Sequence, residues 1–126
     1  MNKDLHKNFE EVTFNDDVIQ MFKEIIKQDY ILLELLYKIA AYEHSEKIGI
    51  TIKEICLDLK IERRKMVQDA DGPRYIIVED YIDRKALTYK LEKLLAMTLI
   101  YYEEAKPYKH FYTTKRAIQI LKSLKE

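Results

Sequence analysis

The chain of 126 residues holds one cysteine, two glycines, two prolines and no tryptophan, and its charges cancel, with 22 Lys and Arg against 22 Asp and Glu. A lone Cys56 excludes an internal disulfide, and its neighbours Ile55, Leu57 and Leu59 predict a small buried hydrophobe rather than a reactive thiol. Gly49, Gly72, Pro73 and Pro107 leave few places for sharp turns, which favours helices joined by short connections. Zero net charge gives no bulk electrostatic reason to expect a polyanionic partner. The most apolar run, Tyr30 to Tyr42, is broken by Glu34 and Lys38 and falls short of a membrane span. Met1-Asn2-Lys3-Asp4 opens with mixed charge and no apolar signal core, so a cytoplasmic protein without membrane association is expected.

Catalytic patterns are also missing. His6, His44 and His110 are scattered without Cys or acidic neighbours at ligand spacing, which argues against a metal site. There is no glycine-rich phosphate loop, no Gly-x-Ser-x-Gly elbow and no Cys/His pairing. Asp16-Asp17 and Glu103-Glu104 are adjacent rather than one helical turn apart, and read as a helix N-terminus and a solvated loop. The expectation is therefore a non-enzymatic single domain with no cofactor.

What is present becomes informative once the chain is divided. Residues 1–80 carry 12 basic and 17 acidic side chains, a net of −5, whereas residues 81–126 carry 10 against 5, a net of +5. Such polarity steers one face towards phosphate and repels it from the other. Residues 1–14 lack a stable period and read as a polar lead-in to one domain over 15–126. Asn15-Asp16-Asp17 offers cap and first-turn acids to a helix with Val18, Ile19, Phe22, Ile25 and Ile26 on one buried stripe. Asp29 caps a second helix, to about Tyr42, that is apolar round most of its circumference. His44 to Lys47 reads as a connection, and Ile48-Gly49-Ile50 as a short strand. Thr51 with Glu54 forms a capping box that starts a helix running to about Leu59.

Beyond Leu59, Glu62 to Asp69 reads as a short basic helix stopped at Asp71-Gly72-Pro73, followed by a strand over Tyr75 to Val78. A helix then spans Arg84 to Ala96 with Leu87, Leu91 and Leu94 inward. A β-hairpin occupies about residues 99–113, with Pro107 at the second position of a turn from Lys106 to Lys109. Tyr101, Tyr102, Tyr108 and Tyr112 read as hairpin packing. Thr113 or Thr114 caps a closing helix over about 114–125, where Ala117, Ile118, Leu121 and Leu124 repeat.

The order from Thr51 to Leu124 resembles a winged helix-turn-helix domain of the MarR, ArsR and PadR kind. Leu87, then Thr88-Tyr89-Lys90, then Leu91 and Leu94, then Leu99-Ile100 fill the places of a recognition helix and its step into the wing. Two departures stand out. Roughly twenty residues are inserted between Leu59 and Asp83, where a minimal motif has about four. Thr98 stands where the family has a left-handed glycine, so the helix is expected to end differently.

The resemblance implies a mainly α, α+β fold and a sequence-specific protein for double-stranded DNA. Arg84, Lys85, Thr88 and Tyr89 would meet base edges, Lys90 and Lys93 flanking phosphates, and Lys106, Lys109 and His110 on the wing an adjacent groove or backbone. Arg63, Arg64 and Lys65 in the insertion would add a phosphate clamp or form a competing recognition segment. A homodimer is expected, because the apolar surface of residues 18–42 and 117–124 exceeds what one small core needs. The role would be transcription regulation, or plasmid or viral replication and maintenance; no pattern argues for a small-molecule effector. The alternative is a winged-helix protein-interaction module that does not bind DNA and uses the acidic front half as its interface.

Overall fold

The computed structural model describes residues 1–125; Glu126, the last residue of the expected 15–126 domain, lies outside the described residues. Helices α1 (Lys3–Phe9), α2 (Asp16–Lys27), α3 (Tyr30–Glu46) and α4 (Ile52–Asp58) come first. Strands β1 (Lys60–Asp69) and β2 (Gly72–Tyr81) follow, then α5 (Arg84–Ala96), β3 (Ile100–Ala105), β4 (Tyr108–Thr113) and α6 (Lys115–Leu124). The fold is α+β, with two separate antiparallel hairpins among helices.

Local signals start most of these helices. The side chains of Asn15, Asp29, Asp83 and Thr114 each accept a hydrogen bond from a first-turn backbone N–H, of Val18, Ile31, Ala86 and Ala117 respectively. Thr51 and Glu54 satisfy one another's backbone N–H groups, with Thr51 N–H donating to Glu54 Oε1 at 3.0 Å. Leu32, Leu35, Leu36 and Ile39 of α3 are buried against Ile55, Leu87, Leu91, Leu94, Ile100 and Ile120. At about 1.5–3 kcal/mol for each fully buried aliphatic side chain, this cluster is the main source of stability.

Much of the apolar surface in residues 18–42 and 117–124 enters that core. Ala117, Ile120 and Leu121 are buried too. The expected α2 stripe is only partly covered: Ile26 is fully buried, Val18, Ile19 and Phe22 are half-buried, and Ile25 is exposed.

Several expectations are corrected. The lead-in is structured: Asn2 caps α1, Tyr102 N–H donates to Met1 C=O at 3.1 Å, and His6 stacks on Tyr101 at 3.7 Å between ring centroids. Helix α3 continues through His44 to Glu46 and ends at Lys47 in a left-handed conformation (φ 61°). The segment Glu62 to Asp69 is strand rather than helix, its partner being β2 in an unbroken register from Lys60↔Tyr81 to Asp69↔Gly72. Thr98 keeps the left-handed backbone (φ 62°), with Leu99 N–H bonding Leu94 C=O and Thr98 N–H bonding Leu95 C=O. Buried Arg116 explains the last: its Nε donates to Thr98 Oγ1 at 3.0 Å and its Nη1 to Phe9 and Val12 carbonyls, tying α6, the α5 exit and the N-terminal segment together.

The β3–β4 hairpin turns over two residues, Lys106 and Pro107, joined by a cis peptide bond, so Pro107 sits one place later in the turn than expected. Each edge of this hairpin is met at one point. Ile50 bridges Phe111 on β4 as a single pair rather than a strand, and Asn2 bridges Tyr102 on β3. The β1–β2 hairpin leaves and rejoins the body at one point, where Ile82 N–H donates to Leu59 C=O at 2.9 Å. The insertion therefore does not separate α4 from α5, which pack directly on each other.

A candidate nucleic-acid interface

Helix α5 buries Leu87, Leu91 and Leu94 and turns Arg84, Lys85 and Tyr89 to solvent, with Thr88 half-buried beside them. Thr88 Oγ1 donates to Arg84 C=O at 2.8 Å, so its hydroxyl hydrogen is already engaged while its oxygen can still accept. Arg84, Lys85, Thr88, Tyr89 and Glu92 line an open depression of about 550 Å³. Lys93 lies over the Tyr89 ring at 4.6 Å, a cation–π contact that holds both side chains on the outer flank of the helix.

A second concavity, of about 330 Å³, is bordered by Ile52 and Lys53 from α4, Arg84 from α5 and Pro107, Tyr108 and Lys109 from the hairpin tip. Arg84 is common to both hollows. It joins the exposed face of α5 to the hairpin, and three elements bring a cation to one side of the molecule. Lys53 belongs to this group although the sequence reading passed over it; its place one residue after Ile52 at the N-terminus of α4 was the available signal. Lys106 is exposed at the tip, and Lys109 lies over the Tyr102 ring at 4.6 Å. Among the described residues Lys53, Arg84, Lys85 and Lys106 have no carboxylate within ion-pair distance.

Other expected contacts are taken up by the scaffold. Lys90 is paired with Asp29, the cap of α3, and both side chains are about four-fifths buried. Burial alone would raise the Asp29 pKa, but the Lys90 ammonium and the Leu32 and Ile31 N–H groups outweigh it and leave the carboxyl below its ordinary value. His110 is half-buried, and its Nδ1 meets Gly49 C=O at 2.8 Å; because a carbonyl only accepts, Nδ1–H donates. His110 thus fastens the hairpin to the segment before α4.

Arg63, Arg64 and Lys65 do not form one clamp. Alternation along β1 puts Arg64 on one face and Arg63 and Lys65 on the other, and Arg63 bonds Asp80 at 2.7 Å. Acidic groups also enter the region. Glu92 is exposed in the middle of the α5 face, whereas Glu103 is offset by Lys3 at 3.3 Å.

Cys56 is half-buried against the core, and burial pushes its thiol pKa up, the opposite of an activated nucleophile. No group of three or more His, Cys, Asp or Glu among the described residues is arranged to hold a metal ion, and no described helix is long and apolar enough to cross a membrane. Comparison with protein-family models, with characterised proteins and with solved structures returned no match.

Proposed function

We propose that this chain is a winged-helix protein that binds double-stranded DNA sequence-specifically, as a homodimer, in transcription regulation or in plasmid or viral replication and maintenance. The observation that carries the reading is the convergence of Arg84 at the start of α5, Lys53 at the start of α4 and Lys109 at the hairpin tip on one concavity, with the neighbouring Lys85 and Lys106 free of carboxylate partners among the described residues. In this reading α5 lies in the major groove. Arg84 and Lys85 donate to base edges, Thr88 and Tyr89 complete the readout, and the β3–β4 hairpin acts as the wing, with Lys106 and Lys109 on phosphates. The +5 net charge of residues 81–126 favours that orientation over one that presents the front half.

The test is fluorescence anisotropy with a mixed-sequence duplex at low salt, followed by selection of sites from random duplexes. Binding that weakens with salt and is lost with Arg84→Ala and Lys85→Ala supports the reading. Absence of binding at low salt, where phosphate contacts are strongest, overturns it in favour of a protein-interaction module.

A further inference from the structure

The β1–β2 hairpin is a two-stranded arm with nothing packed over most of its length, an arrangement that is marginal in water on its own. Its two edges differ. The β1 edge carries Arg63, Arg64 and Lys65 in succession, and near its base the outward N–H of Glu62 donates to Tyr30 Oη at 3.2 Å. Such charges blunt an edge against further pairing. The β2 edge runs Tyr75-Ile76-Ile77-Val78 with no charge, and Tyr75 and Ile77 are 66% and 72% exposed.

The hydrogen-bond phase of the hairpin identifies which backbone groups are free. Leu59 and Ile82 form a hydrogen-bonded pair, and pairs alternate along an antiparallel ladder, so the even residues of β2 bond to β1 while the odd ones face outward. Pro73 has no N–H to offer, and Tyr81 N–H is taken by Asp80 Oδ1 at 2.8 Å. Among the described residues, the outward N–H groups of Tyr75, Ile77 and Glu79 have no partner. This window is symmetric about Ile77.

We propose that β2 is a dimerisation edge that pairs antiparallel with β2 of a second copy about a two-fold axis through Ile77, giving a continuous four-stranded sheet. A two-fold perpendicular to the sheet must place each residue opposite one of the same face, which restricts the centre to a residue rather than a gap between residues. Centred on Ile77, Tyr75 bonds Glu79 of the partner subunit, Ile77 bonds its own counterpart, and every free N–H in the window is satisfied. Ile76 then lies opposite Val78 of the partner subunit, an apolar non-bonded pair. Arg74, which pairs with Asp69 in its own hairpin, lies opposite Asp80 of the partner subunit, whose counterpart here pairs with Arg63, so the flanking contact extends two existing ion pairs of opposite order rather than setting like charges together. Shifting the centre to Ile76 puts Glu79 against the Pro73 position, which lacks a donor, and Arg74 against Val78. The Ile77 register is the one that joins hydrogen bonds, apolar contact and charge.

This interface rests on the proposed dimer but is independent of DNA binding. The test is sedimentation of the full chain over a concentration series, compared with Ile77→Lys, which puts two ammonium groups face to face on the axis. Ile77 is exposed and its N–H is outside the hairpin ladder, so the variant should keep the wild-type circular dichroism. The expected result is a wild-type dimer of twice 15.2 kDa and a monomeric variant. In a Cys56→Ser background, Ile77→Cys should form a disulfide-linked dimer under mild oxidation, because bonded pairs lie about 5.5 Å apart at Cα; Ile76→Cys should not. A wild-type monomer, a dimer that survives Ile77→Lys, or equal cross-linking at both positions overturns the proposal. Loss of the dimer with retained half-site DNA binding, or the reverse, separates its failure from that of the DNA reading.

Discussion

Thr98 adopts a left-handed backbone that a β-branched residue occupies at a cost of about 1 kcal/mol, and its hydroxyl and carbonyl both accept from Arg116. The strain and the anchor oppose each other. Thr98→Gly should therefore change stability by less than about 1 kcal/mol, while Thr98→Val, which keeps the strain and removes the acceptor, should lose about 1–3 kcal/mol; urea midpoints decide the order. His6 poses the reverse problem. It is buried against Tyr101 with no hydrogen-bond partner for Nδ1 among the described residues, and burial lowers its pKa from 6.5, Arg116 and the Met1 amino group adding to the effect and Glu10 opposing it. Below 6.5 the unfolded chain binds a proton that the folded chain resists, so stability is complete above that value and falls as pH drops through the lowered folded pKa. His6→Phe keeps the ring stacking and should flatten that acid-side fall in urea midpoint. An unchanged pH slope would show that other groups control it.

At the level of elements, the Ile48–Ile50 segment holds the β3–β4 hairpin through one backbone bridge, and Gly49 makes the approach possible. A Cβ there would stand 2.6 Å from Phe111 O and 2.8 Å from the Tyr112 ring, both set by the hairpin itself. Gly49→Ala should destabilise by about 1–3 kcal/mol and, in the DNA reading, weaken binding without removing any cation; thermal melts with anisotropy check both. What was legible in advance follows the same division between local and distant causes. Asn15, Asp29, Thr51, Asp83 and Thr114 start their helices through bonds within three residues; Asn15, Asp29 and Thr51 read as caps in the sequence and Thr114 as one of two choices, while Asp83 was passed over. Leu87, Leu91 and Leu94 gave the inner face of α5 by spacing alone. By contrast, Glu62 to Gln68 is rich in helix formers and carries no apolar alternation, so its strand state comes from pairing with Tyr75 to Val78. Helix α1 looked like a loose lead-in because Met1, Asn2 and His6 are held by Tyr101 and Tyr102, a hundred residues away. The candidate site divides likewise: Arg84 and Lys85 were visible as solvent positions, but the capture of Lys90 by Asp29 and of His110 by Gly49 depends on partners 61 residues distant.

For the molecule as a whole, the split of charge between an acidic front and a basic back makes salt dependence the most informative measurement of the DNA reading. Each phosphate neutralised by a free cation contributes about −0.9 to the slope of log affinity against log salt on duplex DNA. Lys106 is exposed and without a carboxylate partner among the described residues, so Lys106→Ala should reduce the slope by about 1 and weaken binding similarly across sequences. Lys90 provides the internal contrast. It is locked to Asp29, and Lys90→Ala should leave the slope unchanged while lowering stability by about 1–2 kcal/mol, because a largely buried carboxylate loses its partner. Its stabilising effect is present above the ordinary carboxylate range and is lost as pH falls through the lowered Asp29 pKa. If both variants reduced the slope equally, the surface centred on Arg84 would be misplaced and the phosphate-binding face would have to include the α3–α5 flank. If Arg64→Ala changed the slope and Lys106→Ala did not, the inserted β1–β2 hairpin rather than the β3–β4 hairpin would be the part of the molecule that tracks the backbone.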